Sequence, residues 1–212
     1  MPHKQKLIVI SIIFLLFSGE AAYPQRRRVP EDQIKLAQQF YVAEGKCSGL
    51  LRNEKWREAE VACKTATRFA DRFADYRELE KLGAYGSVGL SLMGQKRYEE
   101  AIKYYARAID MGRPRLDDTN AEVGQLYGHI ATAYHRMHNL DKAREFYRKA
   151  ARTFLAAYST INPEAEHGVE MRQRYIKILK AILENHLLAA EQAGAAAEIE
   201  DIKKQMETMP LK

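Results

Sequence analysis

Cysteine is scarce in this sequence, with two residues among 212. A small domain held together by a disulfide framework would carry more. Proline is scarce as well. Its six copies stand at positions 2, 24, 30, 114, 163 and 210, so none interrupts 31–113 or 115–162. Twelve glycines exclude collagen-like and low-complexity chains. The longest apolar run, Leu7 to Phe17 with Ser11 inside it, falls short of the roughly 20 residues of a spanning helix. The excess of 34 Lys and Arg over 28 Asp and Glu is small, and only one basic run stands out. A nucleic-acid binder would show a denser basic stripe. Period-two alternation of apolar and polar residues, the mark of a half-buried strand, is missing too.

The first segment reads as an address. Lys4 and Lys6 precede the apolar run, and Ser18, Gly19, Ala21 and Ala22 follow it. A charged start, an apolar middle and a small-residue exit are the three parts of a secretory signal peptide. Residues 1–22 are therefore expected to be a signal peptide or an uncleaved N-terminal anchor. The expected location is exported: periplasmic or extracellular, with inner-membrane anchoring as the variant. Arg26, Arg27 and Arg28 place a basic tail over 23–29, either a solvated segment or a contact for anionic groups.

What remains is rich in Ala, Leu, Glu, Lys, Arg and Gln, the strong helix formers. Tyr98, Ala101, Ile102, Tyr105, Ala108 and Ile109 share one helix face, with Glu99, Lys103 and Arg107 opposite. The set Tyr98, Ala101, Tyr105, Ala108 recurs as Trp56, Ala59, Cys63, Ala66 and as Leu140, Ala143, Tyr147, Ala150. Both intervals are 42 residues, and a fixed interval marks a repeat architecture. Each set follows a second amphipathic segment: Ala43, Lys46, Cys47, Leu50; Tyr85, Val88, Gly89, Leu92; Tyr127, Ile130, Ala131, Tyr134. Two such segments describe an antiparallel helix pair whose axes approach where the small residues meet.

These residues resemble the tetratricopeptide repeat family, most closely over 85–108 and 127–150. The interval resembles the long-helix variety of kinesin light chains and related bacterial proteins. The resemblance implies an all-α fold, a right-handed superhelix of antiparallel helix pairs over 30–209. Repeats are expected at about 40–73, 82–115, 124–157 and, as a degenerate cap, 163–209. Asp117 or Asp118 is expected to cap the third pair. Asn162-Pro163-Glu164 is expected to start a long helix running to about Gln192, with Gly194 breaking it.

The resemblance also implies that the first helix of each pair lines a concave groove. The matching positions are Tyr41, Glu44, Ser48, Leu51 and Arg52; Gly83, Gly86, Leu90, Met93 and Gly94; and Gln125, Gly128, Thr132, His135 and Arg136. The glycines either open the groove floor or let helices pack closely. Arg52 and Arg136 suit a carboxylate or an acidic stretch. The family's carboxylate clamp uses Lys and Asn at several of these positions; they are absent here, so that clamp is not carried over.

Cys47 and Cys63 fall on facing positions of the first pair. They are either a disulfide or two buried thiols. His135 and His138 are spaced to share a metal ion, but no Asp, Glu or Cys nearby completes a site. Glu164, Glu166, His167 and Glu170 suit a solvated helix start. No nucleophile elbow, phosphate loop or zinc-protease pair is present. The expectation is a non-enzymatic module without cofactor or metal, binding a protein or peptide and no nucleic acid. Membrane contact would run only through the N-terminal segment. The alternative is a structural subunit of a membrane-associated envelope assembly.

Overall fold

The computed structural model describes residues 30–73, 77–112 and 119–209. The signal-peptide and basic-tail readings, and Asp117 and Asp118, lie outside the described residues. Eight helices follow one another among those described: α1 Glu31–Arg52, α2 Trp56–Ala70, α3 Glu78–Gly94, α4 Tyr98–Gly112, α5 Ala121–Arg136, α6 Leu140–Thr160, α7 Gly168–Gln192 and α8 Ala196–Glu207. They pack as successive antiparallel pairs, an all-α solenoid of the TPR type. The odd-numbered helices also meet across pairs, α3 against α5 and α5 against α7, so they form the inner layer.

One turn joins the two helices of every pair. The chain turns at Glu54, Lys96, His138 and Gly194, each with φ between 54° and 66°. The next residue returns an amide bond to the carbonyl five residues back: Lys55 to Leu50, Arg97 to Leu92, Asn139 to Tyr134 and Ala195 to Ala190, at 2.9–3.0 Å. This is a Schellman closure, which satisfies carbonyls that a helix end leaves open. Only Gly194 adopts the left-handed conformation without a Cβ penalty.

The packing within pairs follows the small and large positions. Tyr105 and Tyr147 are fully buried, and Ala101, Ala131 and Ala143 are sealed from solvent. A Cβ on Gly89 would lie 2.4 Å from the Tyr105 ring, so the α3–α4 approach requires glycine there. A Cβ on Gly94 would lie 2.1 Å from the Trp56 ring, which ties α3 to the preceding pair. The Tyr105 hydroxyl is buried without a partner. Burial pushes its pKa upward, and its ring stacks on His129 at 5.2 Å. The Sγ atoms of Cys47 and Cys63 are bonded, joining α1 to α2 inside the core.

Two expected helix starts need correction. Asn120, not an aspartate, caps α5, its Oδ1 accepting from the Val123 amide at 3.2 Å. The helix expected at Asn162-Pro163 begins five residues later, at Gly168. Asn162 closes a local turn instead, its Oδ1 accepting from Glu164 N at 2.9 Å and its carbonyl from Ala165 N at 3.3 Å. A second turn follows through His167 at φ 61°. Gly168 then tucks beneath Asn162, where a Cβ would lie 2.1 Å from the Asn162 carbonyl oxygen. The side-chain oxygen that would cap a helix is used within the turn.

Candidate functional site

The inner layer opens between α5 and α7. Gln125, Gly128, Thr132, Ala181, Ile182 and Asn185 line a cavity of about 340 Å³ with Lys177 at its edge. It continues toward the turn end of the helices, where Thr132, His135, Arg136 and His138 face Leu188 and Gln192 around a cavity of about 480 Å³. Lys96 and Tyr98, from the turn and helix start of the preceding pair, complete that end. Thr132, Tyr147 and Asn185 belong to both cavities, so the two form one groove.

A chain of hydrogen bonds fixes the floor. Thr132 Oγ1 donates to the Gly128 carbonyl at 2.9 Å and lies 3.4 Å from the Tyr147 hydroxyl. Tyr147 lies 3.5 Å from His135 Nδ1, and His135 Nε2 reaches Gln192 Oε1 at 3.0 Å. With the Nε2 proton given to Gln192, the single Tyr147 proton serves either His135 Nδ1 or Thr132 Oγ1, not both. Burial holds the Tyr147 hydroxyl above its usual pKa. Gly128 leaves space rather than a contact, since a Cβ there would meet only Ile182 Cγ1 at 4.0 Å. Gly83 is open in the same sense, whereas a Cβ on Gly86 would lie 3.2 Å from Leu126 Cδ2 and Gly94 packs on Trp56.

Of the residues the sequence pointed to, Gln125, Gly128, Thr132, His135 and Arg136 lie along this groove. The others stand on α1 and α3. Tyr41 is 55% exposed and its hydroxyl donates to Glu80 Oε1 at 3.3 Å. Ser48 Oγ donates to the Gly45 carbonyl at 3.3 Å. Glu44 and Leu90 are half-buried, Arg52 is exposed, and Met93 and Leu51 pack against the core. The α7 wall escaped the sequence reading, which treated the last pair as a cap. Its signal was present: Ile178, Ala181, Ile182 and Asn185 have helical one-face spacing.

Outside the groove, two carboxylates gather several partners each. Glu198 on α8 receives Arg144 Nη1 and Arg148 Nη2, each at 2.6 Å, and lies 2.8 Å from Nε2 of the buried His186. Burial works to raise the Glu198 carboxyl, but the bonds from Arg148 and His186 outweigh it and hold it below the usual range. For His186, burial outweighs the Glu198 charge, and its pKa falls below the ordinary imidazole value. Glu60 likewise receives Gln95 at 2.8 Å, Arg97 at 2.7 Å and Lys64 at 2.6 Å. Among the described residues no group of three or more His, Cys, Asp or Glu is arranged to hold a metal ion. No described helix is long and apolar enough to cross a membrane.

Residues 80–156 match the model of the tetratricopeptide repeat. Together with the paired helices, that match gives the chain a TPR-like repeat fold, of the kind that serves protein or peptide binding. The protein FLUORESCENT IN BLUE LIGHT, chloroplastic, of Arabidopsis thaliana is 34% identical over 97 residues, 46% of this chain and 29% of that protein. The chain thus spans less than a third of that relative's length. The crystal structure of the TPR domain of Arabidopsis FLU is similar at 26% identity and a TM-score of 0.49, covering 54% of this chain and 93% of that one. BtubC (BKLC) from P. vanneervenii is similar at 13% identity and 0.45, covering 81% and 89%. A Podosopora anserina structure of putative kinesin light chain TPR-like repeats gives 13% and 0.47, covering 84% and 96%. With all three scores below 0.5, the fold class rests on the helix pairs and the matched repeat.

The relative corrects one expectation. A protein sharing these repeats is chloroplastic, so the periplasmic or extracellular address is withdrawn. That address rests on the charged–apolar–small pattern of 1–22 alone.

Proposed function

We propose that this chain holds a segment of a partner protein in the groove between α5 and α7. The observation that carries this reading is the continuity of the two cavities through Thr132, Tyr147 and Asn185. A continuous groove with a hydrogen-bonded floor suits an extended or helical segment. A closed pocket would suit a small molecule better. The floor is preorganised, so binding orders few groove side chains and spends little affinity on them.

Attachment through the outer helices is the competing reading. Val61 on α2 is 70% exposed and Leu155 on α6 is 52% exposed. Single exposed apolar residues are ordinary on soluble surfaces, so they give this reading little support.

A photo-crosslinking amino acid at Asn185, compared with one at Val61 in an extract of the source cells, separates the two. Crosslinks from Asn185 that disappear in an Ala181→Trp variant support the groove. Crosslinks from Val61 alone, untouched by Ala181→Trp, overturn it.

A further inference from the structure

The groove carries a charge pattern that narrows its occupant. Lys96, Lys177 and Arg136 line it, and among the described residues no Asp or Glu does. All three cations are exposed, and none of them is among the ion pairs of the described residues. They come from three separate elements. Lys96 sits at the left-handed position of the α3–α4 turn, Arg136 in the last turn of α5, and Lys177 within α7. Between them the wall is apolar, with Ile178, Ala181 and Ile182 opposite the gap that Gly128 leaves.

Helix-end electrostatics account for part of this. Arg136 and His135 complement the C-terminal end of α5. That effect does not reach Lys177, which lies in the first half of α7. Nor does it explain why the wall lacks every carboxylate, when elsewhere Glu60 and Glu198 each gather two or more cationic partners. Clefts lined by one sign of charge attract the opposite sign and exclude partners of their own sign.

We infer that the occupant is an acidic peptide segment carrying one bulky apolar side chain. The apolar side chain enters over Gly128 against Ile178 and Ile182. Carboxylates on one side of it meet Lys96 and Arg136, and a carboxylate on the other side meets Lys177. This rests on the groove reading above and adds the chemistry of the partner.

The test is selection from a random-peptide display library on the immobilised full-length chain, followed by titration of the selected peptides. The expected winners are enriched in Asp and Glu around a single Leu, Ile, Met or aromatic residue. A Lys96→Ser/Arg136→Ser/Lys177→Ser variant, its helicity unchanged by circular dichroism, should bind them roughly tenfold more weakly, about 1.4 kcal/mol. Added salt should narrow that difference. Neutral or basic winners that Ala181→Trp displaces would overturn the acidic inference and leave the groove reading standing. Winners that Ala181→Trp does not displace would overturn both. A selection that enriches nothing over empty support overturns the acidic inference as well.

Discussion

Two sets of cations stand on this chain, and Lys96 and Arg97 bring them side by side in sequence. Arg97, Arg144 and Arg148 are committed to Glu60 and Glu198, fastening one helix to another. Lys96 and Arg136, on the inner side, have no such commitment, and neither does Lys177. The contrast separates charge that builds the solenoid from charge left for a partner. A buried pair costs desolvation, so its geometry has to be well satisfied before it holds anything. An exposed cation costs little and stays available. Substitutions in the first set should therefore change stability, and substitutions in the second should change binding.

The largest effect is expected at Glu198. Glu198→Ala leaves Arg144, Arg148 and the buried His186 without their shared acceptor. It should cost about 3 kcal/mol in urea unfolding and release amide protection in α8. Gly89→Ala comes next and tests packing rather than charge. Its Cβ would collide with the Tyr105 ring, and overpacking of this kind costs about 2 kcal/mol, read as a lower urea midpoint. Tyr105→Phe moves the other way. It removes a buried hydroxyl without a partner and should raise stability by about 1 kcal/mol in the same experiment.

Acid should act through the committed set and through His129, whose pKa burial also lowers. The folded pKa values of Glu60 and Glu198 are depressed below their ordinary 4.5, so their contribution is complete above that pH. It is lost as pH falls through the folded values. The folded pKa of His186 is depressed below 6.5, so the unfolded chain binds its proton first. Stability therefore begins to fall just below that pH. Thermal melts from pH 7 to pH 4 should show Tm declining in two stages, with α8 losing exchange protection first. The smallest effect is expected in the uncommitted set: Lys96→Ser/Arg136→Ser/Lys177→Ser should leave the urea midpoint within about 0.5 kcal/mol. A larger loss would mean that these cations are structural.

The helix pairs were legible in the sequence because packing leaves a periodic record. Tyr98, Ala101, Tyr105 and Ala108 must alternate large and small wherever two axes approach, and their spacing repeats with the geometry. The turns left no such record. Glu54, Lys96 and His138 adopt a left-handed conformation that sequence signals assign to Gly or Asn, and the Schellman bonds hold them there through backbone alone. Asn162-Pro163 carried a helix-start signal that the structure uses for a turn, because the decisive contact is the distant-looking Gly168 beneath it. The disulfide and the two-thiol alternative predict the same burial, and residue types alone do not choose between them. Half of the groove was readable from the match of α5 to the repeat. The other half shows only as the one-face spacing of Ile178, Ala181, Ile182 and Asn185, because α7 departs from the repeat pattern while keeping its inner face.

Hydrogen exchange on the full chain, with and without a peptide from the display selection, tests the central claim most directly. The account predicts that bound peptide slows exchange in α5 and α7 along Gln125–Arg136 and Lys177–Gln192, leaving α6 and α8 unchanged. Protection confined to α6 and α8, or to α1 and α2, would contradict it.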